Sequence, residues 1–180
     1  MPIHVALLRG INVGGRNMLP MSELKDLLGT LGLYEARSLL QSGNLVFQSG
    51  RRTGAVLEKL LEAETQKRFG VAADYVVRTA DEWGPVVSRN PFPKEAEQDP
   101  SHLVVMFFKQ APKPKDVELL RLAIKGREIV RADGRQLYIV YPDGIGRSKL
   151  TNTLIEKTLG LRGTARNWNT VLKLAAMMGE

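Results

Sequence analysis

The chain has 180 residues, 43% hydrophobic and 25% charged, with a formal net charge of +7. That length suffices for one large domain or two small ones with a core of their own, and the composition is ordinary globular usage. Cysteine is absent, which excludes disulfides, thiolate metal sites and cysteine nucleophiles and fits a reducing compartment. No apolar run reaches the ~20 residues needed to span a bilayer, and no basic region precedes the apolar start, so no membrane association and a cytoplasmic location are expected. The charge is uneven. Residues 121–173 hold eleven Lys/Arg against four Asp/Glu, whereas the remainder has fifteen of each. A one-sided basic field favours anionic partners, although a solvated basic surface has the same composition.

Residues 3–9 are an apolar, β-branched run and predict a strand. Ser22 is placed to cap a helix carrying Leu24, Leu27, Leu28 and Leu31 at helical spacing, closed by Gly32. Residues 36–41 and 44–48 predict two strands joined at Ser42-Gly43. A second helix is expected over 54–69, with Gly70 as its stop, and a strand over 73–78. Thr79 and Glu82 form a capping box for a short helix. The segment 90–100 contains three prolines and four charges and reads as a linker.

The order then restarts. Pro100-Ser101-His102-Leu103 echoes Pro2-Ile3-His4-Val5, a helix is expected over 114–124, and strands 127–132 and 136–141 flank Asp133-Gly134, a strong hairpin signal. A helix over 149–159, stopping at Gly160, a strand near 163–166 and a closing helix over 168–178 complete the chain. The fold class expected is α+β, with two ferredoxin-like βαββαβ subdomains in tandem and additional helices. Their bounds are 1–89, a linker at 90–100, and 101–180 with the C-terminal helix.

Three polar segments are candidates for ligand binding. In the first, Arg9, Asn12, Gly14, Gly15 and Arg16 follow the opening strand; glycines turn backbone N–H groups toward an anion and the arginines pair with it. The spacing matches neither the dinucleotide fingerprint nor a P-loop, and a plain strand-to-helix turn explains it equally. In the second, Gly146, Arg147, Ser148 and Lys149 lead into a helix whose N-terminus favours phosphate or carboxylate. Basic residues there oppose the helix dipole unless an anion is bound. In the third, Arg166, Asn167, Trp168 and Asn169 open the last helix; either Asn is a cap, and Trp168 is a core residue, an interface anchor or a stacking platform. Taking the first and third strands as parallel neighbours brings Arg16 near Arg51-Arg52, and the same logic sets the Arg147 loop far from Arg166-Asn167. The only histidines, His4 and His102, start apolar strands and read as half-buried strand residues. No catalytic triad, nucleophile elbow or metal site is indicated, and no cofactor is assignable.

Ala6-Leu7-Leu8-Arg9-Gly10-Ile11-Asn12-Val13-Gly14-Gly15, Met21 with Leu24, Gln41-Ser42-Gly43-Asn44 and Asn90-Pro91-Phe92-Pro93 together resemble the bacterial family known as domain of unknown function 1697. Gly144, Gly146-Arg147-Ser148-Lys149-Leu150 and the segment Thr164–Val171 continue the likeness. The resemblance implies an α+β fold of two ferredoxin-like subdomains and implies no activity. Three functions follow for comparison. The first is a non-catalytic binder of a phosphate-bearing small molecule or nucleic acid through the basic Gly/Asn-rich loops. The second is an enzyme acting on a small phosphorylated substrate. The third is a protein-interaction module, or an oligomer, using the C-terminal helix.

Overall fold

The computed structural model describes residues 1–11, 18–39, 43–50 and 52–179. The apolar run at the N-terminus forms β1 (Ile3–Arg9), followed by α1 (Met21–Thr30), β2 (Tyr34–Leu39), β3 (Asn44–Gln48), α2 (Gly54–Phe69), β4 (Asp74–Thr79) and α3 (Ala80–Ser88). α4 (Pro93–Gln98) and a 3-10 helix (Pro100–His102) occupy most of the stretch expected to be a linker. Proline at the first helical position, where its missing N–H costs nothing, starts each of them. Then come β5 (Leu103–Phe108), α5 (Pro114–Ala123), β6 (Ile129–Asp133), β7 (Gln136–Val140), α6 (Asn152–Leu159), β8 (Gly163–Asn167) and α7 (Trp168–Met177). The result is a mixed α+β structure. Two four-stranded antiparallel sheets have the orders β2-β3-β1-β4 and β6-β7-β5-β8. The chain divides into two units, Met1–Val86 with Leu174–Glu180, and Val87–Lys173. Among the described residues no helix is long and apolar enough to cross a membrane.

Local signals set most boundaries. Thr53 caps α2 by accepting from Val56 N, and Gly70 ends it in the left-handed region at φ 68°. Thr79 and Glu82 form the expected reciprocal box: Glu82 N donates to Thr79 Oγ1 at 3.1 Å, and Thr79 N donates to Glu82 Oε1 at 2.9 Å. Two starts differ from expectation. Pro20, not Ser22, precedes α1, with no side-chain cap. α6 begins at Asn152 rather than at 149, because Thr151 accepts from its first turn.

β1 and β3 are antiparallel, with Val5 opposite Val46, which corrects the expected parallel pairing. The crossover through α1 sets β2 parallel to β1 with a gap between them. The hairpin then folds β3 back into that gap. Leu8 N therefore donates to Gly43 O at the exit of β1, while Ser49 N donates to Pro2 O at its entry. Arg9 and Arg52 consequently leave opposite ends of the sheet. Arg16 and Arg51 lie outside the described residues.

The same hydrogen bonds correct the internal echo. Tyr141 N donates to His102 O as Ser49 N does to Pro2 O. His102 thus corresponds to Pro2, and the sequence match is two residues out of register.

In each unit two helices cover one sheet face. Ala6, Leu8, Leu45, Phe47, Tyr75 and Val77 face α1 and α2 residues such as Leu24, Leu28, Leu57 and Leu61. Val104, Met106, Phe108, Leu137 and Ile139 meet Leu120, Ile155 and Leu159. Burying each such side chain contributes about 1.5–3 kcal/mol. Carboxylates on the same helices guard the outer strands. Glu58 and Glu62 of α2 accept from Val77 N and Tyr75 N of β4, each at 2.9 Å, and Glu156 of α6 accepts from Gly163 N of β8 at 2.8 Å. These three edge N–H groups are thereby satisfied and unavailable for further strand pairing.

Candidate functional site

The basic loop begins where β7 ends. Val140 lies opposite Leu103, and Asn167 at the end of β8 lies opposite Val104. Both strands run antiparallel to β5, so both leave at the end where β5 begins, one on each side of it. At ~4.8 Å per strand, the loop after β7 and the Arg166–Asn169 segment start about 10 Å apart. This corrects the expectation that they are distant.

Within the loop, carboxylates take up much of the polar capacity. Arg127 donates to the Asp143 carboxylate through Nε, at 3.1 Å, and through Nη2. That hydrogen bond holds Asp143 below the usual carboxylate range, though so exposed a pair adds little stability. Ser148 Oγ donates to Glu128 Oε1 at 2.7 Å and accepts from Leu150 N at 3.0 Å, so its hydroxyl is committed within the loop. Tyr141 donates to Leu150 O at 3.1 Å, and burial pushes its pKa up to about 12. Gly146, Arg147 and Lys149 are exposed. Lys149 and Arg147 precede the first turn of α6 rather than lying in it.

In the third segment Arg166 and Asn167 make hydrogen bonds within the fold. Asn167 Oδ1 accepts from Thr170 N at 3.0 Å and caps α7. Trp168 is buried and Asn169 is exposed. Arg166 is only 8% exposed; its Nη1 donates to Ala165 O at 2.9 Å and to the Thr164 hydroxyl. Burial lowers its pKa to about 10. Arg78 occupies the corresponding place in the other sheet, since Val5 pairs with Arg78 as Val105 pairs with Arg166. It too is buried. Arg166 is therefore part of a repeated strand position, a pairing the sequence did not expose.

In the first segment Arg9 lies opposite Asp74 and reaches its Oδ2 at 3.6 Å, a cross-strand ion pair at the sheet end. Asn12, Gly14, Gly15 and Arg16 lie outside the described residues.

A groove that the sequence did not indicate lies where α5 packs on α6. It has a volume of about 300 Å³, within the range of small-ligand sites. Its apolar wall is Ile124, Leu150 and Leu154, and its two charged lining residues are Lys125 and Lys149. The N-terminus of α6 adjoins it. Lys125 escaped notice because it sits in a short connection after α5, and only the α5–α6 packing places it in the same groove as Lys149.

A second feature was also hidden. His102 Nδ1 lies 2.8 Å from Asp99 Oδ2. A Cβ on Gly144 would stand 3.8 Å from His102 Nε2, so the imidazole faces the glycine of the basic loop. Asp99 was read as part of a linker. Among the described residues no group of three His, Cys, Asp or Glu is placed to hold a metal.

The remaining sheet faces offer no open platform. Phe107 and Tyr138 share one face on adjacent central strands, with Val105 opposite Tyr138. That is the placement nucleobase stacking requires, but both rings are fully buried. Val5, Leu7, Val46 and Val76 are equally buried in the other sheet.

The sequence pattern of the family described as a protein of unknown function, domain of unknown function 1697, matches residues 1–138. The chain belongs to this family. No curated protein matches it. Among solved structures it is similar to a conserved bacterial protein from Streptococcus pneumoniae, at 21% identity and a TM-score of 0.76, covering 98% of each chain. That likeness concerns the fold alone.

In this member of domain of unknown function 1697, His4 gives a pH signature. It is 1% exposed, stacked on Phe47 at 5.5 Å, and its Nδ1 has no hydrogen-bond partner. Burial lowers its pKa, with the Pro2 backbone and Glu82 offsetting part of the effect. The unfolded histidine takes up its proton near pH 6.5, the folded one only at lower pH. Between those values the unfolded state binds more protons, so stability is complete above about pH 6.5 and falls as pH drops toward the folded pKa. Urea midpoints at about pH 7.5 and about pH 5 should show this loss, and His4→Leu should reduce it.

Proposed function

We propose that this protein binds a small phosphate-bearing anion in the groove between α5 and α6, without catalysing its conversion. One observation carries the reading: Lys125 and Lys149 line a single groove with an apolar wall beside the N-terminus of α6. Two ammonium groups and the adjoining helix dipole favour a compact anion, and the apolar wall suits a carbon skeleton attached to it. The charge excess of residues 121–173 supports the same reading. Nucleic acid is the less favoured ligand, because the aromatic faces of the sheets are buried. We read each unit as a ferredoxin-like βαββαβ unit, which its element and strand orders support, and the protein as cytoplasmic, in keeping with its lack of cysteine.

Calorimetric titration with pyrophosphate, a sugar phosphate and a short single-stranded oligonucleotide, at low and moderate salt, tests this. Lys125→Ala and Lys149→Ala are each expected to weaken small-phosphate binding about tenfold or more, the scale of a charge-assisted contact. Arg147→Ala is expected to stay within a factor of about three, since Arg147 does not line the groove. Equal loss in all three variants would point to diffuse charge and defeat the reading.

The second reading, an enzyme acting on a small phosphorylated substrate, rests on the Asp99–His102 pair facing Gly144. A carboxylate on Nδ1 fixes the imidazole with Nε2 toward the loop, the arrangement of an oriented general base. Turnover of a bound phosphate ester that is lost in His102→Gln, with binding retained, would favour it over the binder.

A further inference from the structure

We propose that the groove between the start of α5 and the end of β6 docks an extended acidic segment of a partner protein, held by strand addition at Ala132. The other three sheet edges each carry an obstacle to pairing. Helix carboxylates accept from Tyr75 N and Val77 N of β4 and from Gly163 N of β8. β2 carries an irregularity between Tyr34 and Arg37, with Glu35 at φ 51°, which bends that edge away from regular pairing.

Among the described residues no such device lies along the last residues of β6. The two-residue turn Gly134-Arg135 pairs Asp133 with Gln136, which directs the N–H and C=O of Ala132 away from β7. One step earlier the edge is closed: Val130 O accepts from Arg121 Nε at 3.4 Å, and Val130 is 2% exposed. At Ala132, which is exposed, α5 and β6 diverge. The space between them is about 490 Å³, walled by Pro112 and Pro114, floored by Val117, and left open by the methyl side chain of Ala132 and the bare backbone of Gly134. It accepts one apolar side chain of an extended segment whose backbone bonds Ala132. Alternate side chains of that segment project to the rim.

The rim selects the charge. Exposed Lys113 and Lys115 flank the wall residue Pro114, and exposed Arg131 flanks Ala132. Two nearby carboxylates are already ion-paired, Asp133 with Arg89 at 2.8 Å and Glu118 with Arg121 at 3.0 Å. An acidic segment is thus favoured over a neutral or basic one.

The test uses the full chain and two labelled peptides, one alternating glutamate and valine, the other lysine and valine. Fluorescence anisotropy reads affinity, and hydrogen exchange reads the Ala132 amide. The acidic peptide should bind and slow exchange at Ala132. Ala132→Pro removes the N–H at an edge position that tolerates proline, and Ala132→Leu fills the space while keeping the N–H. Each should weaken binding at least about tenfold while the melting temperature stays near that of the parent. Should Ala132→Pro not fold, Ala132→Leu alone decides. No binding at about 1 mM acidic peptide, equal binding of the lysine peptide, or unchanged affinity in Ala132→Leu overturns the proposal. So does a concentration-dependent dimer abolished by the same substitutions, which would assign the edge to a second copy.

Discussion

Trp83→Ala is expected to destabilise the protein by about 3–5 kcal/mol, the range for removing a large buried aromatic side chain. Trp83 is fully buried and is the largest side chain in that state. Its position is fixed by α3, which the Thr79–Glu82 box starts directly at the end of β4. The helix also contains Pro85, whose ring limits backbone adjustment in that turn. A cavity of indole size therefore collapses only in part, and dispersion contacts are lost along with hydrophobic transfer free energy. Urea unfolding followed by circular dichroism reads the effect as a lower midpoint at unchanged slope. A loss below about 1 kcal/mol would mean that the site closes without cost and would contradict the packing described.

Gly163→Ala is the second large effect, at about 1–3 kcal/mol. A Cβ at this position would lie 2.7 Å and 2.8 Å from ring carbons of Phe108 and 2.9 Å from the backbone oxygen of Phe107. Phe108 is fully buried and packed among α5 and α6 residues, so its ring has no empty space to enter. The Phe107 oxygen belongs to the neighbouring central strand and shifts only with the sheet. Moving β8 outward would also disturb the 2.8 Å bond from Gly163 N to Glu156. The reduced freedom of the unfolded alanine chain returns only about 0.4–1 kcal/mol. Gly146→Ala is the control. Its added Cβ meets nothing within 4 Å and its φ is not positive, so its melting temperature should match the parent. If Gly163→Ala proves as neutral as Gly146→Ala, β8 is not seated against β5 as described.

Order and type of elements were legible because local chemistry decides them. Thr53, Gly70, Gly160 and the Thr79–Glu82 pair fix their helix ends through a few neighbouring backbone groups. Strand direction was not legible in the same way. The reversal of β3 beside β1 depends on which gap the hairpin fills, a tertiary matter to which residues 3–9 and 44–48 are blind. Polar residues on helices were harder still. Glu58, Glu62 and Glu156 look like solvated helix carboxylates, yet each meets a strand N–H. Nothing in their spacing separates the two roles.

The candidate site divides along the same line. Lys149 stood out as one of the basic residues of a glycine-punctuated loop, whereas Lys125 needed the α5–α6 contact to become its partner. Ser148 and Arg166 were read as ligand groups from their type and neighbourhood. Their hydrogen bonds to Glu128 and within β8 show that polar residue types alone do not reveal how much bonding capacity is left. Capping is local, so the sequence narrowed the cap of α7 to Asn167 or Asn169, and Asn167 fills it.

The most direct test of the central claim is a titration of the isotope-labelled protein with pyrophosphate, followed by amide and lysine Nζ resonances. The proposed binding site predicts saturable shifts confined to residues 123–125 and 149–154, including both Lys125 and Lys149. Saturable shifts centred instead on residues 143–147 or around Arg166, or shifts that spread evenly over all exposed cations and vanish with modest salt, would contradict it.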